Sequence, residues 1–306
     1  MKWKDFLTKI RKKLLDFGYA CDNCGRELFD YPDHRFCPQC EEKMPKIKRA
    51  CPKCGRDTVA EGVCLTCKGD MPGHKVTVYE KSNKLGGVFI AASAPSFKEK
   101  DRDLIAWYIR ELTKYPTIEV KLNTEVRDVN SLGADEVIVA TGSTPNVIPV
   151  KGVREYGIEA CDFLLGNKTV GDRVVIVGGG LTGCEIAYEL YLQGKKPVIV
   201  EMQDDLITTK GICLANTSFL RDFFKANKVP VHLETALSEV HEDGVTVKAK
   251  DGTTFKIDAD SVIMSTGYRP APLAKESRHV HVIGDASKVG NLRTVIWQAW
   301  DVCMNI

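Results

Sequence analysis

No apolar run in this 306-residue chain approaches the roughly 20 residues that a helix needs to cross a bilayer, so a membrane-spanning role is not expected. The basic start, Met1-Lys2-Trp3-Lys4-Asp5, is not followed by the continuous apolar core of a secretory signal, which makes the cytoplasm the expected compartment. Net charge is nearly absent. Lys and Arg number 43 against 41 Asp and Glu, leaving +2, too little to steer the whole chain toward nucleic acid. Hydrophobic content of 43% and charge of 27% are ordinary for a globular protein. The length suggests about two or three domains.

Cysteine is plentiful and unevenly placed. Of twelve, eight form four C-x-x-C pairs: Cys21 with Cys24, Cys37 with Cys40, Cys51 with Cys54, and Cys64 with Cys67. In a reducing compartment such pairs read as metal ligands rather than disulfides. Each pair can make a knuckle that aims two thiolates at one ion, and two knuckles complete the tetrahedral four-thiolate site that zinc favours. Two structural zincs are expected, with the first two pairs on one ion and the last two on the other. Redox thiols and an iron–sulfur centre are the alternatives. Residues 1–70 carry 15 Lys and Arg against 11 Asp and Glu, and eight thiolates with two Zn²⁺ bring the module near neutrality. A cationic nucleic-acid surface is therefore not indicated. Residues 2–17 form a basic amphipathic segment with Phe6, Ile10, Leu14 and Phe17 at helical spacing. Packing on the zinc module is favoured over lying on an anionic membrane.

The most informative stretch is Val174–Glu201. It reads as a strand, Val174-Val175-Ile176-Val177, then Gly178-Gly179-Gly180-Leu181-Thr182-Gly183, a helical run to Gly194, and a second strand ending in Glu201. Strand, glycine turn, helix, strand and acid are the parts of a dinucleotide site, in order. Gly178 suits the tight turn, Gly180 close approach to a pyrophosphate, and Gly183 close helix–strand packing. The helix N-terminus offers N–H groups to phosphate, and Glu201 can accept from an adenosine ribose. A glycine-rich turn without ligand is the alternative.

His74–Glu80 reads as a second-type Rossmann strand ending in an acid, followed by a polar loop to Gly86-Gly87. The glycine turn that should precede it would fall near Cys54–Glu61, where there is none. The first strand, phosphate turn and first helix of that unit are missing. Further on, Lys98–Lys114 reads as a helix with Leu104, Ile105, Tyr108, Ile109 and Leu112 on one side. Ile118–Leu122 reads as a strand and Glu136–Ala140 as a buried strand leading to Thr141-Gly142. Leu220–Asn227 is an expected short helix and Val229–Leu233 a strand. Val245–Lys248 and Thr254–Ile257 flank an Asp251-Gly252 hairpin. Ser261–Gly267 mirrors the Ala140-Thr141-Gly142 strand. His279–Ala286 is a strand ending in Gly284-Asp285, backed by a helix over Asn291–Ile306. His279 and His281 could ligate a metal, but alternation along a strand explains them better.

Two resemblances follow. Residues 1–71, through the four knuckles, resemble the double zinc ribbon of ComF-family proteins, although no phosphoribosyl-diphosphate loop follows. Residues 73–306 resemble the C-terminal FAD/NAD(P) half of old yellow enzyme relatives such as 2,4-dienoyl-CoA and 2-enoate reductases. The motifs are Gly73–Lys81, Leu85-Gly86-Gly87, Ala140-Thr141-Gly142, Gly178–Glu185 and Val282–Ala286. The fold this implies is α/β, a two-dinucleotide-binding flavoprotein with the NAD domain inserted in the FAD domain and the first FAD strand missing. The boundaries are a zinc ribbon at 1–71, an incomplete FAD-type part at 72–150, the NAD(P)H domain at 151–270 and a C-terminal FAD-type part at 271–306.

That resemblance implies hydride transfer from the nicotinamide to FAD. The nicotinamide nucleotide would be held by Gly178, Gly179, Gly180, Thr182, Gly183, Glu201 and Gly267, with NADH favoured over NADPH because Glu201 repels a 2′-phosphate. FAD would be held by Glu80, Lys81, Gly86, Gly87, Val126, Ala140, Thr141, Gly142, Gly284 and Asp285, without its phosphate turn. No catalytic side chain is assigned, because neither an FMN barrel nor its proton donor is found. The alternatives are an interaction module, binding a protein partner through its zinc ribbons and joined to an NADH-binding domain, or a fusion at Met71-Pro72 without function.

Overall fold

The computed structural model describes residues 49–50, 57–58, 74–209 and 211–306. The chain forms two compact units, Met1–His74 and Lys75–Ile306. In the first, β1 (Arg49–Ala50) pairs antiparallel with β2 (Asp57–Thr58). The amphipathic segment at 2–17 lies outside the described residues. So do all eight expected zinc ligands, Cys21, Cys24, Cys37, Cys40, Cys51, Cys54, Cys64 and Cys67.

The second unit opens with β3 (Val76–Tyr79), α1 (Val88–Ala92), α2 (Glu99–Leu112) and β4 (Ile118–Lys121), with β3 and β4 parallel. Glu99 and Asp101 in the first turn of α2 and Arg110 in its last suit the helix dipole. Its expected apolar stripe is not buried. No residue of α2 is buried, and Tyr108 and Ile109 are each 40% exposed, because the two-stranded β3–β4 sheet gives the helix little to pack on. β5 (Val137–Val139) and β6 (Ser143–Pro145) follow. Glu136–Ala140 is expected as a buried strand, but in β5 only Val139 is buried and Ile138 is 38% exposed.

The centre of the unit runs through α3 (Val153–Tyr156), β7 (Gly157–Glu159), α4 (Ala160–Leu164), β8 (Arg173–Val177), α5 (Leu181–Leu192), β9 (Lys196–Val200), α6 (Leu214–Ala226) and β10 (Val231–His232). A meander of β11 (Thr235–His241), β12 (Gly244–Ala249) and β13 (Thr254–Asp258) then leads to β14 (Ser261–Met264). The five parallel strands lie in the order β10-β9-β8-β14-β7. Val174 to Val177 are buried in the middle strand, an almost uninterrupted apolar run of the kind a sheet covered on both faces requires. On one face Ile176, Ile199 and Ile263 pack with Ile186, Leu190 and Phe224 of α5 and α6. On the other, Val175, Val177 and Val262 meet Val240, Val245 and Val247 of the meander.

β15 (Tyr268–Pro270) pairs antiparallel with β6, tying together the strands where the chain enters and leaves this domain. β16 (Val280–Val282) runs parallel to β5, and α7 (Leu292–Asn305) closes the chain. Asn291 caps α7 in a capping box with Thr294. The flanking half is poor in core: among buried hydrophobics only Ala91, Val129, Val139, Ile283 and Ala286 lie outside 151–270. Among the described residues no ladder joins β3–β4 to β5–β16. No helix among them is long and apolar enough to cross a membrane.

Candidate nucleotide-binding site

Gly178 to Gly183 turn from the central strand β8 into α5, at the C-terminal edge of the parallel sheet. Open α/β sheets bind ligands at this edge, where strand order reverses. Three glycines of the turn have different physical reasons to be there. Gly178 has φ +108, and a Cβ there would lie 2.2 Å from the Ser265 carbonyl oxygen. A Cβ on Gly183 would lie 2.0 Å from the Gly178 carbonyl oxygen, so helix and turn touch through backbone. A Cβ on Gly180 would meet nothing within 4 Å, so no protein atom demands glycine there.

Beneath Gly180, α5 begins without a side-chain cap and without an acid in its first turn. Its first backbone bond runs from Cys184 N–H to the Gly180 carbonyl at 3.0 Å, and the N–H groups of Leu181, Thr182 and Gly183 make no backbone bond. Free donors and the positive end of a twelve-residue helix make an anion site. Glu201, at the end of β9, is 9% exposed. Its Oε2 accepts from Gly179 N–H at 2.5 Å and its Oε1 from Gln203 N–H at 2.8 Å, which fixes the carboxylate beside the turn.

Residues 265–268 follow β14, which runs parallel to β8, and so lie at the same edge of the sheet. Ser265 N–H donates to the Val177 carbonyl at 2.8 Å, and Gly267, with φ +80, receives the Asn146 N–H at 2.9 Å through its carbonyl. A cavity of about 190 Å³ there is lined by Asn146, Glu159, Met264, Thr266, Gly267 and Tyr268. The Tyr268 hydroxyl donates to Glu159 Oε1 at 3.2 Å and lies 3.0 Å from Cys161 Sγ. Burial pushes Tyr268, Glu159 and Cys161 all toward their uncharged forms. The nicotinamide-nucleotide set Gly178, Gly179, Gly180, Thr182, Gly183, Glu201 and Gly267 thus lies around one edge of one sheet.

The flavin set divides in two. Glu80, whose Oε1 accepts from Ser82 N–H at 2.7 Å, stands with exposed Lys81, Gly86 and Gly87 beyond β3. Gly86 and Gly87 both have positive φ, and a Cβ on Gly87 would meet nothing within 4 Å. Half-buried Val126 lies in the segment after β4. Ala140, Thr141, Gly142, Gly284 and Asp285 gather beyond β5 and β16. There the Thr141 hydroxyl donates to the Ala271 carbonyl at 2.8 Å and accepts from Leu273 N–H at 3.2 Å. Asp285 accepts from Gly290 N–H at 3.0 Å, and Gly284 N–H donates to Gln298 at 2.6 Å. Glu80 stands at the end of β3, where a ribose-binding acid is expected. Among the described residues no strand and glycine turn precede β3 to receive the phosphates of a flavin dinucleotide.

Nothing in the sequence signals the connection between the two halves. Lys98 Nζ pairs with Glu185 on α5 at 2.7 Å, with side chains only 17% and 14% exposed. Burial raises the Glu185 carboxyl, and Lys98 opposes that shift. Ser96 donates twice to Glu189, and the Phe97 ring lies 5.0 Å from that of Tyr188.

Cys161, Cys184, Cys213 and Cys303 are all unpaired, and burial pushes the Cys184 thiol up to about 12, which keeps it a thiol. His279 and His281 both bond to Glu136, at 2.9 and 2.8 Å, and among the described residues no cluster suited to a metal ion occurs. The expected zinc set is not among those residues. Cys21 and Cys24, Cys37 and Cys40, Cys51 and Cys54, and Cys64 and Cys67 therefore rest on their spacing alone, and no metal centre is described for them.

Comparison with known proteins agrees with the architecture of the second unit. The chain is 40% identical over 243 residues to the cinnamate reductase of Clostridium sporogenes, covering 76% of this chain and 36% of that protein. It is 30% identical over 247 residues to the NADH oxidase of Thermoanaerobacter brockii, covering 76% of this chain and 38% of that one. In structure it is similar to a 2-naphthoyl-CoA reductase in complex with 2-naphthoyl-CoA, with a TM-score of 0.69 at 24% identity over 76% of this chain and 36% of that chain. The chain therefore spans less than two fifths of the length of these proteins. The pattern that defines the pyridine nucleotide-disulphide oxidoreductases matches residues 64–290, across the glycine turn and both flanking strand pairs, and the chain belongs to that family.

Proposed function

We propose that this chain binds NADH at Gly178–Gly183 and Glu201 and acts as the nicotinamide-binding half of a reductase of the old yellow enzyme-relative type. The observation that carries this reading is the uncapped start of α5 beneath Gly180, where a side chain would meet only open space. The phosphates would accept from the N–H groups of Leu181, Thr182 and Gly183, and the adenosine ribose would donate to Glu201. Asp204 and Asp205 follow Glu201 closely, and Arg221, which reaches that segment, is paired with Asp205 at 2.9 Å. The Glu201 carboxylate at the turn favours NADH over NADPH, and the nearby Arg221 is already engaged by Asp205 rather than free for a 2′-phosphate. The nicotinamide would reach toward Gly267 and the Glu159–Tyr268 cavity.

FAD, when bound, supplies the hydride acceptor in this type of reductase. Here Glu80 and Gly87 suit its adenosine end, and Gly284-Asp285 its ribityl side. Titrating the full chain with NADH and following nucleotide fluorescence tests the first claim, with saturable binding tighter than that of NADPH as the expected result. No saturable NADH binding by folded protein would overturn it. Incubation with FAD followed by gel filtration tests the second. A yellow protein that oxidises NADH supports a working flavin site, whereas a colourless protein that binds NADH supports the binding-module reading.

The spacing of the knuckles supports two four-thiolate zinc sites of the ComF ribbon type. Cys21, Cys24, Cys37 and Cys40 would hold one ion, and Cys51, Cys54, Cys64 and Cys67 the other. Metal analysis is expected to give two zincs per chain, and iron or no metal would refute this assignment.

A further inference from the structure

We propose that Arg221, on α6, is a positioning residue of the dinucleotide site, acting through the segment that follows Glu201. The inference rests on the NADH-binding reading above.

Its basis is a continuous chain of contacts. Arg221 Nε donates to Asp205 Oδ1 at 3.0 Å, and its Nη2 donates to the carbonyl of Leu206 and, at 3.5 Å, to that of Ile207. Asp205 Oδ1 also accepts Leu206 N–H at 2.7 Å. One guanidinium thereby holds a carboxylate and two successive carbonyls. The next contacts reach the glycine turn. Ile207 N–H donates to the Gly179 carbonyl at 2.8 Å. The Leu206 side chain packs so closely that a Cβ on Gly179 would lie 2.5 Å from its Cδ2. The Gly179 N–H donates in turn to Glu201 Oε2 at 2.5 Å. The carbonyl of the middle glycine is therefore set by this segment, while its N–H is held by Glu201, the carboxylate assigned to the ribose, which Gln203 N–H steadies from the start of the same segment.

Ile207 shows that the segment is held rather than at rest. It is 4% exposed, β-branched, and has φ +51, a conformation such residues avoid unless their surroundings impose it. Leu206 and Ile207 are anchored from below by the core under α5 and α6, and from the side by Arg221. Removing the guanidinium frees two carbonyls and a carboxylate at once. The backbone at Ile207 can then relax toward negative φ, which moves its N–H off Gly179 and slackens the turn and Glu201 together. Lysine at this position can pair with Asp205 but cannot also span both carbonyls.

The test uses the full chain, NADH titrations followed by nucleotide fluorescence, and thermal melts. Arg221→Leu is expected to weaken NADH binding about tenfold or more in protein that remains folded, the size set by losing about one charge-assisted bond at the site. Arg221→Lys is expected to fall between the two, about threefold weaker than the parent, as a partial rescue. A merely structural role would lower the melting temperature of both variants and leave the affinity of the folded fraction unchanged. Wild-type affinity in folded Arg221→Leu overturns the proposal. Should that variant not fold, wild-type affinity in Arg221→Lys overturns it. Failure of the parent chain itself to bind NADH sinks the nucleotide reading instead, a different and separately visible result.

Discussion

Alanine at Gly180 and alanine at Gly183 should do opposite things, although three residues separate them. At Gly183 the new methyl would lie 2.0 Å from the Gly178 carbonyl oxygen, 3.2 Å from its carbon and 3.3 Å from Ile176 Cγ2. The obstacle is backbone at the centre of the sheet, so α5 must shift away from β8. Overpacking of this kind costs about 1–3 kcal/mol, and the rigidity of the neighbour argues for the upper end. Alanine's better helix propensity returns somewhat under 1 kcal/mol. A net loss of about 2 kcal/mol corresponds to about 4–8 °C in Tm for a unit of this size.

At Gly180 the backbone is extended, at φ −67 and ψ 179, which alanine adopts freely, and the methyl meets nothing within 4 Å. Stability should change by less than about 0.5 kcal/mol. The methyl would, however, stand where the phosphates must approach the N–H groups of Leu181 and Thr182. Losing one charge-assisted bond, at about 1.5–3 kcal/mol, weakens NADH roughly 10- to 150-fold. Thermal melts and fluorescence titration of the two variants read both effects. Wild-type NADH affinity in Gly180→Ala, or a loss of Tm as large as that of Gly183→Ala, would refute the reasoning.

Other substitutions probe the charges. Lys98→Met strands the buried Glu185 carboxyl, whose affinity for protons burial already raises. The folded state then favours its protonated form, so a destabilisation of about 2–4 kcal/mol at neutral pH should shrink as pH falls into the ordinary carboxylate range. Melts of both proteins between pH 4 and 8 check this. Asp260 is pulled down to about 2 by hydrogen bonds from Arg173, which tie the starts of β8 and β14 together. A depressed carboxyl contributes its stability above the usual value of 3.8 and loses it as pH falls toward 2. The Tm gap between parent and Asp260→Asn should therefore be constant near neutrality and close on the acid limb. Glu201→Gln should weaken NADH about tenfold while narrowing the preference over NADPH, since the amide no longer repels a 2′-phosphate. Paired titrations with the two nucleotides would show an unchanged ratio if Glu201 does not face the ribose.

What could be read from sequence was contiguous. β8, the turn, α5 and β9 lie within thirty residues, and each supplies a local signal: an apolar run, glycines at fixed spacing, an acid at a strand end. The helix from Asn291 onward was legible for the same reason, although its capping box was not. β11 escaped because an irregularity between Leu237 and Glu239 breaks its alternation. α6 begins at Leu214, six residues before the expected start, because Asn216, Thr217 and Ser218 weaken the helical signal there. Thr217 is instead buried at the end of its first turn, and Leu220 and Phe224 bury the turns that follow.

The contacts that shape the site were hidden for a different reason. Asp205 and Arg221 are sixteen residues apart, and Lys98 and Glu185 are eighty-seven apart. Neither spacing is a period of any element, so nothing in the sequence pairs them. The stripe on α2 makes the complementary point. Leu104, Ile105, Tyr108, Ile109 and Leu112 mark the face that needs cover, and that part of the pattern is local. Whether cover exists depends on how many strands lie beneath, and β3 and β4 provide only two. The sheet around β8 has five strands and helices long enough to bury them, and there the same kind of stripe on α6 does reach the core. An apolar stripe therefore predicts a demand for packing, and the width of the neighbouring sheet decides whether that demand is met.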